Sequence, residues 1–402
     1  MGDEATIGAR LRTLRRWRRM TLAQVAGQAG LSTGFLSMAE RGLRTLDRRS
    51  HIAALAAALR VSEADLTGGA YLSADLVQAE PHITIPNLRA ALLTNTLTAP
   101  AVADARPLTE LVAEMARIDR SEHKFTDVGR MLPGLIDELH VHACAPVDEA
   151  AYRLALSTLI DAFQTATFVP KDLGYGDLAS IAAMRASEVA RTLGDPISLG
   201  KAASLRVHTL PTTSWQVKLR TAETAAEALQ PQVADGLGIQ VLGMLTLASA
   251  LAATVAHNAG RADHWLAQAD QLARRIPDTP GENWGAFSVS NVAVWRIALA
   301  VERGESGGTV LNLARHVDER RLAARSGRHS AFLADIGRAL ARERRTRGEA
   351  VQWLLRAERV APHKIRNDVK VKETVAVMLE QGKGASLDRE LRGMASRMGV
   401  AH

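Results

Sequence analysis

Apolar residues recur at three- and four-residue spacing along most of this 402-residue chain, which is the spacing of one face of an α-helix. Near the N-terminus, the stretch Thr21–Gly42 contains two short helical patterns separated by a tight turn. Gly30 provides the backbone freedom that the turn needs, because glycine adopts positive φ without steric cost. Ser32 is a favourable N-cap for the second helix. The pattern therefore predicts a helix, a tight turn and a second helix.

The second of these helices is predicted to have one apolar face and one small, polar face. Leu36 and Ala39 are expected to be buried. The residues expected to point outward are Thr33, Gly34, Ser37, Met38 and Arg41. Short side chains and a glycine on an exposed helix suit a close approach to base edges in the DNA major groove.

These residues resemble the helix-turn-helix of the Cro and lambda-repressor class, also called the xenobiotic-response-element family. The resemblance extends from Ile7 to about Leu66 and implies a five-helix DNA-binding domain. It also implies a partly buried pair between Arg15 and Glu40. Leu22 departs from the family pattern, which usually has a glutamine that contacts the DNA backbone at this position. The matching positions are Ala26, Gly30, Leu31, Ser32, Leu36, Ser37, Glu40, Arg41 and Gly42.

The same resemblance implies that the domain binds double-stranded DNA as a homodimer on a palindromic operator. We assign the base-edge contacts to Thr33, Gly34, Ser37 and Met38. We assign the phosphate contacts to Ser32, Arg41, Arg44, Arg16 and Arg19.

Positive charge is concentrated in this part of the chain. Residues 1–70 contain eleven arginines and six acidic residues, whereas the remaining 39 basic and 37 acidic residues nearly balance. A basic surface attracts phosphates and makes DNA affinity depend on salt. The side chains expected to reach phosphates by this criterion are Arg10, Arg12, Arg16, Arg18, Arg19, Arg44, Arg48 and Arg49.

From about residue 104 onward, helical patterns follow one another and the later ones repeat. Gly260–Ala273 and Gly348–Ala361 both read G-x-A-x-x-W-L-x-x-A-x-x-[LV]-A, and weaker copies begin near Gly176, Lys218 and Gly304. The starts are 42 to 44 residues apart, which is enough for two helices and their turns. The segments resemble degenerate tetratricopeptide repeats. The last one resembles actinobacterial regulators that join such repeats to this type of DNA-binding domain.

These patterns predict an all-α protein. We expect a helix-turn-helix domain at residues 1–69 and a proline-punctuated connector at 70–107. A tetratricopeptide-repeat-like α-solenoid for effector binding and dimerisation is expected at 108–381. Residues 382–402 are expected to be a tail, either loose or with a short helix around Leu387–Met398.

An α-solenoid has a concave groove lined by the first helix of each pair. By analogy with regulators of this architecture, we expect the groove to bind a peptide or a small molecule. Asn291 is assigned to hydrogen bonding, Trp295 to stacking, and Arg296 and Arg328 to anionic groups. Packing of Trp295, a structural hydrogen bond for Asn291 and a solvated position for Arg328 are the alternatives.

Other chemistry has little support in the sequence. His140, His142 and Cys144, with His123 upstream, are metal-binding residue types. Positions two apart on a continuous helix point in nearly opposite directions, so a zinc site here needs a break in the helix. We find no phosphate-binding glycine loop, zinc-protease motif or nucleophile elbow. We therefore expect no metal, cofactor or catalytic residue, and we expect that the protein is not an enzyme.

The single cysteine excludes an intrachain disulfide and fits a reducing cytoplasm, and no signal-peptide pattern is present. The longest apolar run, Val241–Ala256, is short for a membrane span and predicts a buried helix. The predicted function is a cytoplasmic, ligand-sensing transcription regulator with no membrane association. The alternative is a repeat-mediated protein adaptor that carries a DNA-binding domain. An adaptor would capture a partner protein and show no small-molecule shift in melting temperature.

Overall fold

A computed structural model describes residues 6–68, 76–121, 124–211, 214–382 and 389–400. Regular structure in these residues is helical and includes no strand, which confirms the all-α class. Five short helices at the N-terminus are followed by helical repeats.

The first twelve α-helices are α1 (Ile7–Trp17), α2 (Leu22–Gln28), α3 (Thr33–Glu40), α4 (Arg49–Leu59), α5 (Glu63–Thr67), α6 (Leu76–Ile83), α7 (Ile85–Thr94), α8 (Leu108–Arg120), α9 (Lys124–Cys144), α10 (Glu149–Asp172), α11 (Gly176–Leu193) and α12 (Pro196–Thr209). The later helices are α13 (Trp215–Leu229), α14 (Gly236–Val255), α15 (Ala259–Ala273), α16 (Val289–Arg303), α17 (Gly307–Ala314), α18 (Glu319–Leu322), α19 (Ser326–Ala341), α20 (Arg347–Val360), α21 (Pro362–Asn367), α22 (Val369–Gln381) and α23 (Arg389–Met398).

These helices form two compact units. The first contains α1–α5, α15–α23 and two short pieces, Trp215–Gln216 of α13 and Ser249–Val255 of α14. The second contains α6–α12 and the remainder of α13 and α14. Residues far apart in the sequence therefore share one unit.

Helices α1–α5, which we call the head, surround their own apolar core. Ile7, Leu11, Val25, Leu36 and Leu55 are fully buried there. The apolar spacing of each short helix explains this core, because every helix turns one face inward. Hydroxyl side chains cap the starts of α1, α2, α3 and α5 and satisfy their first free N–H groups.

The second unit has a separate core formed by α7–α12. The segment 70–107, expected to be a connector, contains α6 and α7 in its described part. Ile85, Leu88 and Leu92 of α7 are buried in this core, and α7 packs against α9.

The two clear sequence repeats form α15 and α20. Their shared alanines are buried, as are Trp265 in α15 and Leu354 in α20. Helix α20 packs against α19 at close range, because a Cβ added at Gly337 would lie 2.7 Å from Leu354 Cγ. Small residues at these positions allow the helices to approach closely.

Helix α14 is long and apolar enough to span a bilayer, and it is the one helix of this kind among the described residues. Within its most apolar window, 89% is buried inside the protein. Burial of this extent is typical of a core helix. In the C-terminal tail, α23 agrees with the short helix considered around Leu387–Met398, and Leu391, Met394 and Met398 are buried against the neighbouring helices.

Candidate nucleic-acid interface

Three local features shape the turn between α2 and α3. The Gly30 backbone has a φ of 65°, in the left-handed region that favours glycine. Leu31 N–H donates to the Ala26 carbonyl at 2.9 Å and closes the end of α2. Ser32 Oγ accepts a hydrogen bond from Phe35 N–H at 3.1 Å and caps α3. These contacts fix the direction in which α3 leaves α2.

Helix α3 buries Leu36 and Ala39 in the core of the head. The opposite face is fully exposed at its N-terminal end and half-buried further along. A Cβ added at Gly34 would meet no atom within 4 Å, so packing within the protein does not require a glycine there. This face carries the four base-edge candidates: Thr33, Gly34, Ser37 and Met38.

The C-terminal end of α3 is held by a paired guanidinium and carboxylate. Arg15 Nε lies 2.6 Å from Glu40 Oε1, and Arg15 Nη2 lies 2.7 Å from Glu40 Oε2. Arg15 Nη1 also donates to the Met20 carbonyl at 3.0 Å. The hydrogen bonds that Arg15 donates to Glu40 raise the pKa of Arg15. Since bidentate geometry fixes both side chains, the pair holds α1 against the end of α3.

The four arginines assigned to phosphates have exposed side chains near the ends of α1 and α3. Arg41 Nε donates to the Ser37 carbonyl at 3.2 Å, which directs its guanidinium along the surface of α3. Trp17 is 70% exposed, and the Arg18 guanidinium lies 4.8 Å from the centre of its ring. The exposed arginines of the head are Arg12, Arg16, Arg18, Arg19, Arg41, Arg44 and Arg60.

Three other arginines expected to reach phosphates, Arg10, Arg48 and Arg49, are half-buried with partners within the protein, and the expectation needs correction for them. Arg10 donates to two carbonyls at the end of α5. Arg18 donates to a carbonyl just after α4 but is exposed, so its contact with a phosphate stays a prediction. Arg48 and Arg49 both contact Glu302 on α16. Long side chains of this kind reach partners that the local sequence does not reveal.

The residues assigned to an effector groove do not lie together on an open surface. Asn291 is 0% exposed, and its Nδ2 donates to the Gly285 carbonyl at 3.4 Å. Trp295 is buried with the Arg328 guanidinium 5.1 Å from its ring centre, whereas Arg296 is exposed. The assignment of Asn291 and Trp295 to an open groove therefore needs correction, because both side chains pack inside the helices.

The histidines and the cysteine of α9 likewise have other partners. Helix α9 continues to Cys144 without a break, His140 Nδ1 donates to a carbonyl one turn earlier, and His142 Nε2 donates to the Arg106 carbonyl. His123 lies outside the described residues. Across the part of the chain that the structure describes, no group of three or more His, Cys, Asp or Glu side chains is placed to hold a metal ion.

Comparison with known families supports the assignment of the head. A model of the helix-turn-helix domain family matches residues 6–67, which span α1–α5. The chain matches no curated protein and no solved structure.

The N-terminal domain is therefore a helix-turn-helix DNA-binding domain, and the protein is a DNA-binding regulator that works inside the cell. The expected start at Ile7 and end near Leu66 agree with the matched residues.

The sequence interpretation missed a set of buried charges that contact the head from α16, α19 and α22. They are Glu302, Arg338 and Glu373, together with Asp47 of the head itself. Each follows or interrupts an apolar helical pattern, which is a signal of a buried polar role. The pattern does not reveal the partner, which lies hundreds of residues away.

Proposed function

We propose that this protein is a sequence-specific transcription regulator that binds a palindromic operator as a homodimer in the cytoplasm. The observation that carries the proposal is the exposed N-terminal half of α3. This half presents small side chains to solvent, while its apolar face and C-terminal end are fixed within the head. Such a helix has the shape and the rigid support that major-groove reading requires.

In this proposal, Thr33, Gly34, Ser37 and Met38 contact base edges. Short side chains favour contacts with thymine methyl groups and close approach over long bidentate bonds. The exposed arginines bind phosphates, which set affinity and its dependence on salt without reading the sequence. Ser32 caps α3 and directs the helix N-terminus, where a phosphate is favoured.

Two-fold symmetry of the protein would explain a palindromic site. Domains of this class place two recognition helices in successive major grooves about one helical turn apart. We infer that the helical repeats after the head, of tetratricopeptide type, join the two subunits. A sedimentation measurement that finds only monomers, both alone and on DNA, would refute the dimer.

We further propose that the repeats bind a peptide or small molecule and change DNA binding in response. The support is architectural, since stacked helix pairs create extended binding surfaces. An effector changes DNA affinity only if it prefers one arrangement of the two heads. The proposal assigns no catalytic step to any residue.

The experiment is selection of genomic DNA fragments with purified full-length protein, with and without extract of the producing cells. Recovery of a palindrome in one condition and its loss in the other would support a ligand-controlled dimeric regulator. Recovery of the same palindrome in both conditions would limit the repeats to dimerisation or to an adaptor role. Absence of any enriched sequence would refute sequence-specific regulation.

A further inference from the structure

The loop between α3 and α4 is held from outside the head by a buried guanidinium. Arg338 on α19 is 1% exposed and Asp47 is 2% exposed. Arg338 Nη2 donates to the Asp47 carbonyl at 2.6 Å and lies 3.1 Å from Asp47 Oδ2. Arg342, which directly follows α19, lies 3.2 Å from the same carboxylate oxygen. Two cations, one on α19 and one directly after it, therefore hold the main chain and the side chain of a single loop residue.

The charges at this contact are matched. Burial alone would raise the pKa of Asp47, but Arg342 and Arg338 outweigh it and hold that pKa at about 2. Arg338 Nη1 also lies 2.7 Å from Asp335. The carboxylate is therefore ionised at neutral pH and has a strong preference for the position between the two guanidinium groups.

A second contact joins the start of α4 to the end of α16. Arg48 Nε donates to the Glu302 carbonyl at 2.7 Å, and Arg49 N–H donates to Glu302 Oε2 at 3.0 Å. The Arg49 guanidinium also pairs with the Glu302 carboxylate. Burial acts to raise the pKa of Glu302, but Arg49 and Arg338 outweigh it and lower that pKa. The N-terminal end of α4 is thus fixed by both its backbone and its side chains.

A third contact comes from α22. Glu373, which is buried, accepts hydrogen bonds from the N–H groups of Ile7 at 2.6 Å and Leu46 at 3.2 Å. Ile7 is the first residue of α1 and Leu46 lies in the α3–α4 loop, so one carboxyl group links two parts of the head to α22. Gln381 at the end of α22 donates to the Gly42 carbonyl at 3.2 Å.

These contacts lie beside α3 without covering the face that carries the base-edge candidates. Gly42, two residues beyond α3, lies so close to α22 that a Cβ added there would be 3.2 Å from Glu380 Cβ. Thr33 and Gly34 at the other end of α3 remain exposed. The C-terminal helices therefore contact the chain just after the C-terminal end of α3 and leave its N-terminal end exposed.

We propose that α16, α19 and α22 clamp the head in its DNA-binding position, with Arg338 as the positioning residue, so that these C-terminal helices control DNA affinity. The clamp is defined as the contacts of Glu302, Arg338, Arg342, Glu373, Glu380 and Gln381 with the head. This inference rests on the proposed function, because it assigns to the C-terminal helices a role in the same DNA binding. Movement of α19 or α22 would act on α3 through residues 41–48, which connect α3 to α4.

A reversible crosslink tests whether the clamped position is the one that binds DNA. The variant carries Gly42→Cys and Glu380→Cys in a Cys144→Ser background, so that oxidation joins only the loop and α22. The Cβ separation of 3.2 Å is about 0.3 Å below the usual range in disulfides, and Gly42 has a φ of 69°, so the reduced form also controls for the strain of a side chain at this position. The probe is a duplex recovered by the fragment selection, and the reduced form of the same variant is the matched control.

We expect a high crosslinking yield and operator affinity in the oxidised form within about twofold of the reduced form. A loss of about tenfold or more that a reducing agent reverses would overturn the proposal, because the head would then have to leave the clamp to bind DNA. Failure to crosslink in a folded variant would also overturn it. The yield is measured without DNA, so it tests the clamp even if no operator is recovered and the proposed function fails.

A pair of substitutions tests the role of Arg338 itself. Arg338 is buried and cannot touch DNA, so an effect of Arg338→Gln on DNA binding must pass through the head. Glu358→Gln is the matched control, because Glu358 is a buried carboxylate paired with Arg366 and Arg397 away from the head.

Both variants are compared at a temperature at which circular dichroism shows native helix content. We expect Arg338→Gln to weaken operator binding by about tenfold, and Glu358→Gln to change it by less than about twofold. Equal affinities for the two variants would overturn the positioning role. If Arg338→Gln does not fold, the crosslinked variant still shows whether the clamped head binds DNA.

Discussion

The two sides of the head use the same residue type in opposite ways. On the side of the base-edge candidates, Arg16, Arg19 and Arg41 extend into solvent around a small, polar helix face. On the side of the α3–α4 loop, Arg49 pairs with the carboxylate of the buried Glu302 on α16, and Arg48 donates to the carbonyl of the same residue. Solvated arginines are available to phosphates, whereas buried pairs specify one arrangement of the chain. The net positive charge of a domain therefore overstates the charge that DNA can contact.

Among substitutions on the two sides of the head, loss of a buried carboxylate should lower the free energy of unfolding the most. Asp47→Ala leaves the Arg338 and Arg342 guanidinium groups without their shared partner, and removing one member of a buried pair costs roughly 3–5 kcal/mol. Asp263→Ala is the control, since Asp263 pairs with Arg303 at the surface, where such pairs contribute at most about 1 kcal/mol. Urea unfolding followed by circular dichroism measures both. Equal losses would contradict the distinction between buried and surface pairs.

Glu373→Gln should change how stability depends on pH. Burial raises the pKa of Glu373 from its ordinary 4.5 to about 7. The folded protein therefore binds a proton that the unfolded chain releases between these values, so this group's contribution to stability is full below pH 4.5 and falls as pH rises to about 7. The total change is roughly 3 kcal/mol. Glutamine cannot ionise and removes this dependence.

The difference between wild type and Glu373→Gln isolates the effect, because His51 titrates in the opposite sense. Burial and Arg48 lower the pKa of His51 to about 4, so its contribution falls as pH drops from 6.5. Unfolding free energies of both proteins, measured from pH 5 to pH 8, give the comparison. A difference that stays constant over this range would show that Glu373 does not titrate as proposed.

On the exposed side of the head, substitutions of base-edge residues and of phosphate-binding arginines should affect DNA binding differently. Thr33→Ala or Ser37→Ala should reduce the preference for operator over random duplex by about 1–3 kcal/mol for each lost base contact. Arg41→Ala should weaken binding to all sequences and reduce the slope of log affinity against log salt by about 1. Fluorescence anisotropy titrations at several salt concentrations measure both quantities. The same loss on operator and random duplex for the Thr33 and Ser37 variants would refute the base-edge assignment.

Substitution of two exposed glycines should have the smallest effect on stability and tests how closely DNA approaches α3. Gly34→Ala and Gly27→Ala both place a methyl group in open space, so each should keep or raise stability by up to about 1 kcal/mol. Gly34 lies on the base-edge face of α3, whereas Gly27 lies on α2. We therefore expect Gly34→Ala alone to weaken operator binding. Unchanged affinity in both variants would show that DNA does not approach Gly34 closely.

Local patterns in the sequence were sufficient to predict the buried face of α3 and the turn before it in the head. Leu36 and Ala39 are buried as their spacing predicts, and Gly30 and Ser32 form the turn and the cap expected of these residue types. These features depend on residues three to five positions apart, which is the range over which helix periodicity and capping act.

Contacts between residues far apart in the sequence could not be predicted from these local patterns. Asp47 and Arg338 are 291 positions apart, and nothing in either local pattern identifies the other. The helix that contains Asn291 is predicted correctly, but the face that carries Asn291 is buried and does not line a groove. Periodicity identifies the residues that share a face but does not identify what packs against that face. A charged residue within an apolar helical pattern indicates a buried polar contact. The partner in that contact can be identified only from the three-dimensional fold.

The central claim is that the head reads DNA with the exposed face of α3 while the C-terminal helices hold its other side. Amide hydrogen exchange of the full-length protein, with and without a selected duplex, tests both parts in one experiment. The account predicts new protection at residues 32–41 on DNA, with exchange at 42–49 and 369–381 unchanged or slower. Faster exchange at 42–49 when DNA is bound, or no protection of α3, would contradict it.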